Sequence, residues 1–544
     1  MASLGKTIKK SFSKKTISST LFGIVISTFT TVAPMFLIMG GIMILYAVLD
    51  YNTIIYSERL LFTTSILYIF IFALLCTSPF NSVISRYITD RIFEERYDTI
   101  LPCFYGGLFL NLTVCCAVGI PFYLYAYLVG GIDVVFVFAC FCAFIALSLV
   151  FYCMLFLSIT KDYTKISLFF AIGVIAMVLS ALLLVKVLHM SVTLGMMFAL
   201  VIGFLTIAIC ECAYIKGYFH NNNEKYFAFL SYFKQHWALA LTNLFYTVAL
   251  YSHNFIFWTL DDHIVVKDTY ICYPPYDMAT CIAMFTNISA SVILITQIEL
   301  HFHERYKAYS EAVIGGRLRD IEKAKNRMFS LLSYQLMDVV RNQFIISVIL
   351  YLLCMVFLPR FGFAGTVMEI YPCLAAGYFV IFLLYSGIIF LFYFNDKTGA
   401  FLTTFTFLVL TSVISIFARD LNPIWYGIGT FVGAFAGWCI AYFRLRWVER
   451  NLDEHIFCQG TLIPTTYDDM PSSIVFPVDD TKKPEENAAE EEKEESSDKS
   501  EKKESDKEDD KTSDTPEKKN SDKEKKKTSD TPKKGKKKEK KKRR

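Results

Sequence analysis

The sequence predicts an all-α integral membrane protein. It should have about twelve transmembrane helices arranged as two six-helix bundles, followed by a disordered, charged C-terminal tail. Three observations carry this reading. First, 54% of the 544 residues are hydrophobic and 16% are aromatic, with mean hydropathy +0.42, which is too apolar for a soluble chain of this size. Second, apolar runs close to the ~20 residues needed to cross hydrocarbon as a helix recur throughout residues 21–447. Third, charge is segregated. Residues 1–480 carry 30 basic and 30 acidic groups, and residues 481–544 carry 24 and 20. The formal +4 therefore sits in the tail and gives no reason to expect nucleic acid as a partner.

Residues 1–20 form a basic N-terminal arm containing "GKTIKKSFSKK". Twelve spans follow, at 21–46, 60–84, 101–120, 133–158, 167–187, 193–215, 237–258, 276–298, 342–359, 366–394, 399–418 and 423–447. Backbone groups in lipid must be satisfied within the segment, so these runs are helices. The first six make an N-terminal bundle, 21–215; a connector, 216–236, leads to a C-terminal bundle, 237–447. Lys and Arg concentrate in the connections 85–100, 159–166, 216–236, 299–341 and 395–398, and the alternate connections are poor in them. That bias places both termini in the cytoplasm. The first apolar run is far longer than the core of a cleavable signal.

The connection 299–341 has a pattern of its own. Leu318, Ile321, Ala324, Met328 and Leu331 recur at three- and four-residue steps, the mark of one apolar helix face. Between them stand Arg317, Arg319, Lys323, Lys325 and Arg327, which are candidate contacts for a cytosolic partner. Gly315-Gly316 marks a break before this helix. A juxtamembrane linker, 448–480, precedes the tail, 481–544. The tail has no aromatic residue, no Val and no Ile, so it cannot build a core and is expected to be disordered. Its acidic block, 481–510, gives way to a basic block, 511–544, suited to anionic lipid.

Candidate functional residues lie in the seventh span. At about 100° per residue, Thr242, Asn243, Tyr246, Thr247, His253 and Asn254 share one side, with Phe257 and Trp258 among them. A polar stripe facing lipid is expensive, so it should face other helices or a wet cavity. Interhelical hydrogen bonding would explain a lone polar residue. Aligned polar groups interleaved with aromatic rings also suit sugars, whose hydroxyls need partners and whose ring faces stack. No catalytic signature, Walker A sequence, cofactor fingerprint or metal-ligand spacing stands out, so neither an enzyme nor a cofactor is expected. Most cysteines lie in apolar runs, where they act as small hydrophobes.

The basic arm leading directly into the first span, "HNFIFW" at 253–258, and "ELHFHERYKAYSEAVIGGRLRDIEKAKNRM" at 299–328 together resemble the PelG family, the membrane component of the Pel exopolysaccharide export machinery. That family sits within the multidrug/oligosaccharidyl-lipid/polysaccharide flippase superfamily. The resemblance covers about residues 1–458 and not the tail. Where the family carries an acidic-basic pair before the "IFW", this chain has His253 and Asn254. The resemblance implies a multi-pass protein of the bacterial cytoplasmic membrane that passes a polysaccharide outward. Its implied partners are a cytosolic UDP-sugar glycosyltransferase and other membrane proteins, including a cyclic-di-GMP receptor. Two other readings remain open: a cation-coupled small-molecule antiporter of the same superfamily, and a membrane scaffold for a glycosyltransferase.

Overall fold

A computed structural model of the chain describes residues 34, 36–160, 163–297, 302–362 and 365–452. The basic arm, the charged tail, most of the linker 448–480 and much of the first expected span lie outside the described residues.

The described chain is helical apart from one small hairpin. In order, the helices are α1 (Phe36–Val48), α2 (Tyr56–Phe93), α3 (Ile100–Leu128), α4 (Val134–Thr160), α5 (Tyr163–Leu182), α6 (Val192–Tyr218), α7 (Leu230–Gln235) and α8 (Trp237–Phe257). Strands β1 (Ile264–Val266) and β2 (Tyr270–Cys272) follow, then α9 (Pro274–Gln297), α10 (His303–Gly315), α11 (Leu318–Phe357), α12 (Thr366–Tyr393), α13 (Lys397–Ala418) and α14 (Ile428–Arg450). Among the described residues, nine helices are long and apolar enough to cross a membrane. The exact count of twelve is therefore not confirmed among the described residues. The first and eighth expected spans run into undescribed residues. The polar stripe keeps α8 out of the nine.

The packing repeats between the two halves of the chain. In the first half α2 packs on α3 and α4, α4 on α3 and α6, and α5 on α6. In the second half α9 packs on α11 and α12, α12 on α11 and α14, and α13 on α14. The same pairings recur in the same chain order. Helices α2 and α8 join the halves.

Three elements differ from expectation. Helix α3 runs through Pro121 to Leu128 rather than stopping near residue 120. Proline removes one intrahelical bond, but Phe122 and Tyr123 pack against Tyr68 and Phe141 and hold the helix on course. The connection 259–275 folds into a hairpin in which Val265 pairs with Ile271. Lys267 and Asp268 take left-handed φ of 51° and 48°, as a tight primed turn requires. The turn rests on Gly130, where a Cβ would meet Thr269 Oγ1 and the Lys267 carbonyl. Finally, the segment 299–341 does not end before the next span. Gly316 is extended after α10, but α11 then runs 40 residues without a Gly or Pro, about 60 Å at helical rise. Its apolar face is covered by the protein in part: Met328 is buried, Ile321 and Ala324 pack partly against its cluster, and Leu318 stays exposed. Met328, Phe329 and Leu332 form a buried cluster with Phe302 and Tyr309 of the α10 region, Phe390 and Phe394 at the end of α12, and Val448 of α14.

Candidate functional site

Helix α8 meets α2 along its length, and the contact begins at a proline. Pro79 lacks the N–H that would bond the Leu75 carbonyl; the Ser78 hydroxyl donates to that carbonyl at 3.0 Å. Asn243 Nδ2 donates to the Ser78 carbonyl. One turn along, Ser82 Oγ donates to the Leu239 carbonyl at 3.1 Å. Asn243 thus serves as interhelical glue. Thr242 and Thr247 spend their hydroxyls on their own helix, on Ala238 and Asn243 carbonyls. Tyr246 lies against the rings of Tyr385 and Phe407.

The remaining stripe residues converge near the hairpin. Asp277 sits in the first turn of α9 and is only 8% exposed. Its carboxylate accepts from Asn254 Nδ2 at 2.8 Å, Trp258 Nε1 at 2.9 Å and the Tyr273 N–H at 3.2 Å. Three donors offset the desolvation of a buried acid. Beside it, His253 Nδ1 and Tyr276 Oη are 2.8 Å apart. The Phe257 ring stacks on Tyr276 at 4.2 Å. The Trp258 ring stacks on Tyr68 of α2 at 5.0 Å. Tyr68 in turn donates to the Ile271 carbonyl at 2.9 Å and accepts from the Ile271 N–H at 3.1 Å. His253, Asn254, Phe257 and Trp258 therefore join α2, α8, α9 and the hairpin in one buried cluster at this end of the α2–α8 seam. His253 Nε2, Asn254 Oδ1 and Thr280 Oγ1 are buried there without a partner among the described residues.

At the opposite end, Lys397 Nζ and His236 Nδ1 are 2.7 Å apart, so a neutral imidazole accepts from the ammonium. Burial first, then the charges of Lys397 and Arg86, push His236 down to about 4. Arg86 pairs with Asp90 at 3.1 Å. Buried Asp396 accepts two bonds from Arg444, at 2.8 and 2.9 Å, and one from the Gly399 N–H. Of the five cationic candidates, Arg319, Lys323 and Arg327 line one open groove, whereas Arg317 and Lys325 do not. Among the described residues no three His, Cys, Asp or Glu side chains gather as a metal site.

Sequence reasoning missed Tyr68, Tyr276 and Asp277. The signal for Asp277 was present: "YPPYD" places an acid just inside an apolar span, which marks a buried partner or a function. Tyr68 had no signal, because its bonds reach Ile271, 203 residues away.

The PelG family, described as "Putative exopolysaccharide Exporter (EPS-E)", matches residues 1–457. The chain belongs to the PelG family. The PelG chain is also similar in fold to solved transporters. A mutant of the Vibrio cholerae MATE transporter VcmN superposes with TM-score 0.57 at 9% identity, covering 83% of this chain and 99% of that one. An outward-facing multidrug resistance MATE family transporter of the MOP superfamily gives TM-score 0.53 at 12% identity, covering 79% and 96%. None of the curated proteins matches the chain. Family and fold support a membrane-transport role for this multi-pass PelG protein.

Proposed function

We propose that the chain moves an exopolysaccharide across the cytoplasmic membrane as the membrane subunit of a Pel-like synthesis and secretion complex. The path would lie between the bundles 21–215 and 237–447, with both termini cytoplasmic. The observation that supports this reading is the seam between α2 and α8. One end is shut by stacked Tyr68 and Trp258 over a hydrogen-bonded polar cluster, groups that can exchange their mutual contacts for sugar faces and hydroxyls. Thr242, Asn243, Tyr246, Thr247, His253, Asn254, Phe257 and Trp258 would line the path as the seam opens. Replacing His253 and Asn254 together with Leu should abolish polymer secretion while the protein level holds. Normal secretion by that variant would remove these residues from the path.

A cytosolic UDP-sugar glycosyltransferase would dock on 304–330, with a cyclic-di-GMP receptor among the membrane partners. Exposed Arg317 and half-buried Lys325 are the contacts to test. The pair R317Q/K325Q should lower recovery of the glycosyltransferase on co-purification, and unchanged recovery would reject the contact. Cation-coupled antiport is the second reading, favoured by the buried carboxylates of Asp277 and Glu211. Both Glu211 oxygens lack a partner among the described residues. It requires proton- or sodium-driven drug uptake in liposomes that Glu211→Gln eliminates.

A further inference from the structure

Helix α11 carries like charges on one side. Arg319, Lys323 and Arg327 recur at four-residue steps, a spacing at which like charges destabilise a helix. None of the three forms an ion pair among the described residues. With Arg305 of α10, Ser330 and Tyr334 they line an open groove of about 1020 Å³, in which Glu322 is the sole acid among the described residues. Four cations against one acid call for an anionic occupant.

Position and spacing narrow the occupant. The next expected span starts at 342, and just before it exposed Arg341 pairs with Asp338 at 2.7 Å. At helical rise, Arg327 stands about 22 Å outside that span and Arg319 about 35 Å, so the groove faces water rather than lipid headgroups. The three cations of α11 extend over about 12 Å, and Arg305 adds a fourth from α10. A single phosphate group is too small to meet all four. A run of carboxylates along a polypeptide is not.

The chain carries such a run. Residues 485–498, "EENAAEEEKEESSD", hold eight acids and one base. The polypeptide that leads to it leaves α14 near the base of the groove, because Val448 lies in the same buried cluster as Met328 and Phe329 of α11. Residues 453–484 make a link of 32 residues. Even at helical rise that link would reach about 48 Å, against about 23 Å from Arg319 to Tyr334. We propose that the acidic segment 485–498 of this chain occupies the groove between α10 and α11. Its carboxylates meet Arg305, Arg319, Lys323 and Arg327, and the groove is closed to other polyanions until the segment leaves. The inference does not depend on what the chain transports. Arg317 and Lys325, the contacts tested for a cytosolic partner, do not line the groove, so the two readings fail separately.

The test uses the full-length protein in detergent. A carbodiimide joins a carboxylate to an amine in contact with it, and mass spectrometry should find Lys323 linked to peptides from 485–498. Lys225, exposed in the connector 216–236, should not be linked to them. A variant with E490Q, E491Q, E492Q, E494Q and E495Q should lose the Lys323 link. The pair R319Q/R327Q should lose it too, at an unchanged melting midpoint. A fluorescent peptide of sequence 485–498 gives a second readout. It should bind the five-glutamine variant about tenfold more tightly than wild type, because a tethered competitor acts at about millimolar effective concentration. Adding R319Q/R327Q to that variant should remove the peptide binding. Absence of a Lys323 link to 485–498, or equal peptide affinity for wild type and the five-glutamine variant, overturns the proposal. So does a Lys323 link to a co-purifying cytosolic protein in place of 485–498, which would make the groove a partner-docking surface.

Discussion

Removing the Asp277 carboxylate would leave three buried donors, Asn254 Nδ2, Trp258 Nε1 and the Tyr273 N–H, facing nothing. Each stranded donor in a dry site costs about 1–3 kcal/mol, and shifts of the neighbours recover part of it. Asp277→Ala should therefore lose about 2–4 kcal/mol of stability, read as a lowered unfolding midpoint in detergent. Asp277→Asn keeps one acceptor oxygen and should fall between. If Asp277→Ala melts with wild type, the carboxylate does not hold this cluster together. Asn243 presents a milder case. Its single bond to the Ser78 carbonyl is half-buried, so Asn243→Ala should cost about 1 kcal/mol and leave the fold intact.

At the scale of elements, apolar length made most helices legible, because a lipid-crossing helix must be long and apolar whatever it touches. The stripe on α8 was legible for the complementary reason: polar residues at one angular position must face protein or water. The hairpin was not legible. Its strands are three residues each, too short for alternation to register, and they are held from outside by Tyr68. The continuity of α11 was hidden because a composition change at residue 341 looks like a boundary, although nothing in 318–357 breaks a helix. Close approach of helices was also hidden. On α14, a Cβ at Gly433 would lie 2.7 Å from the Thr411 backbone N and 3.0 Å from its Cα. Backbone cannot step aside, so Gly433→Val should force α13 and α14 apart and cost more than about 3 kcal/mol. Folded yield by size-exclusion profile should collapse. Gly217→Ala, where a Cβ meets nothing within 4 Å, should be neutral. A monodisperse Gly433→Val at wild-type yield would contradict the tight α13–α14 contact.

For the whole molecule, the two ends of the α2–α8 seam are closed by different chemistry. The hairpin end is held by stacked rings around Tyr68 and Trp258 and by the Asp277 carboxylate that Trp258 donates to. The other end joins His236, Lys397 and the Arg86–Asp90 pair, all of which respond to pH or salt. His236 is the sensitive member. Its value in the fold is depressed from 6.5 to about 4, so the unfolded chain takes up its proton first as pH falls. The stability linked to neutral His236 is complete above 6.5 and drains away toward 4. Solvent reaches His236, so screening reduces the size of the effect but not its sign. Asp90, whose carboxyl is raised by burial, and Lys397, whose ammonium is lowered chiefly by burial, face the same junction. The comparison must therefore isolate the histidine. The melting midpoint of wild type should drop between pH 7 and pH 5 more than that of His236→Gln, which keeps an acceptor for Lys397 but cannot titrate. Parallel pH curves for the two proteins would exclude His236 as the source. Because a protonated His236 would set a third positive charge against Lys397 and Arg86, acid should loosen this end of the seam. The two ends thus answer to different groups: His236 and Lys397 at this one, the Asp277 cluster and its stacked rings at the other.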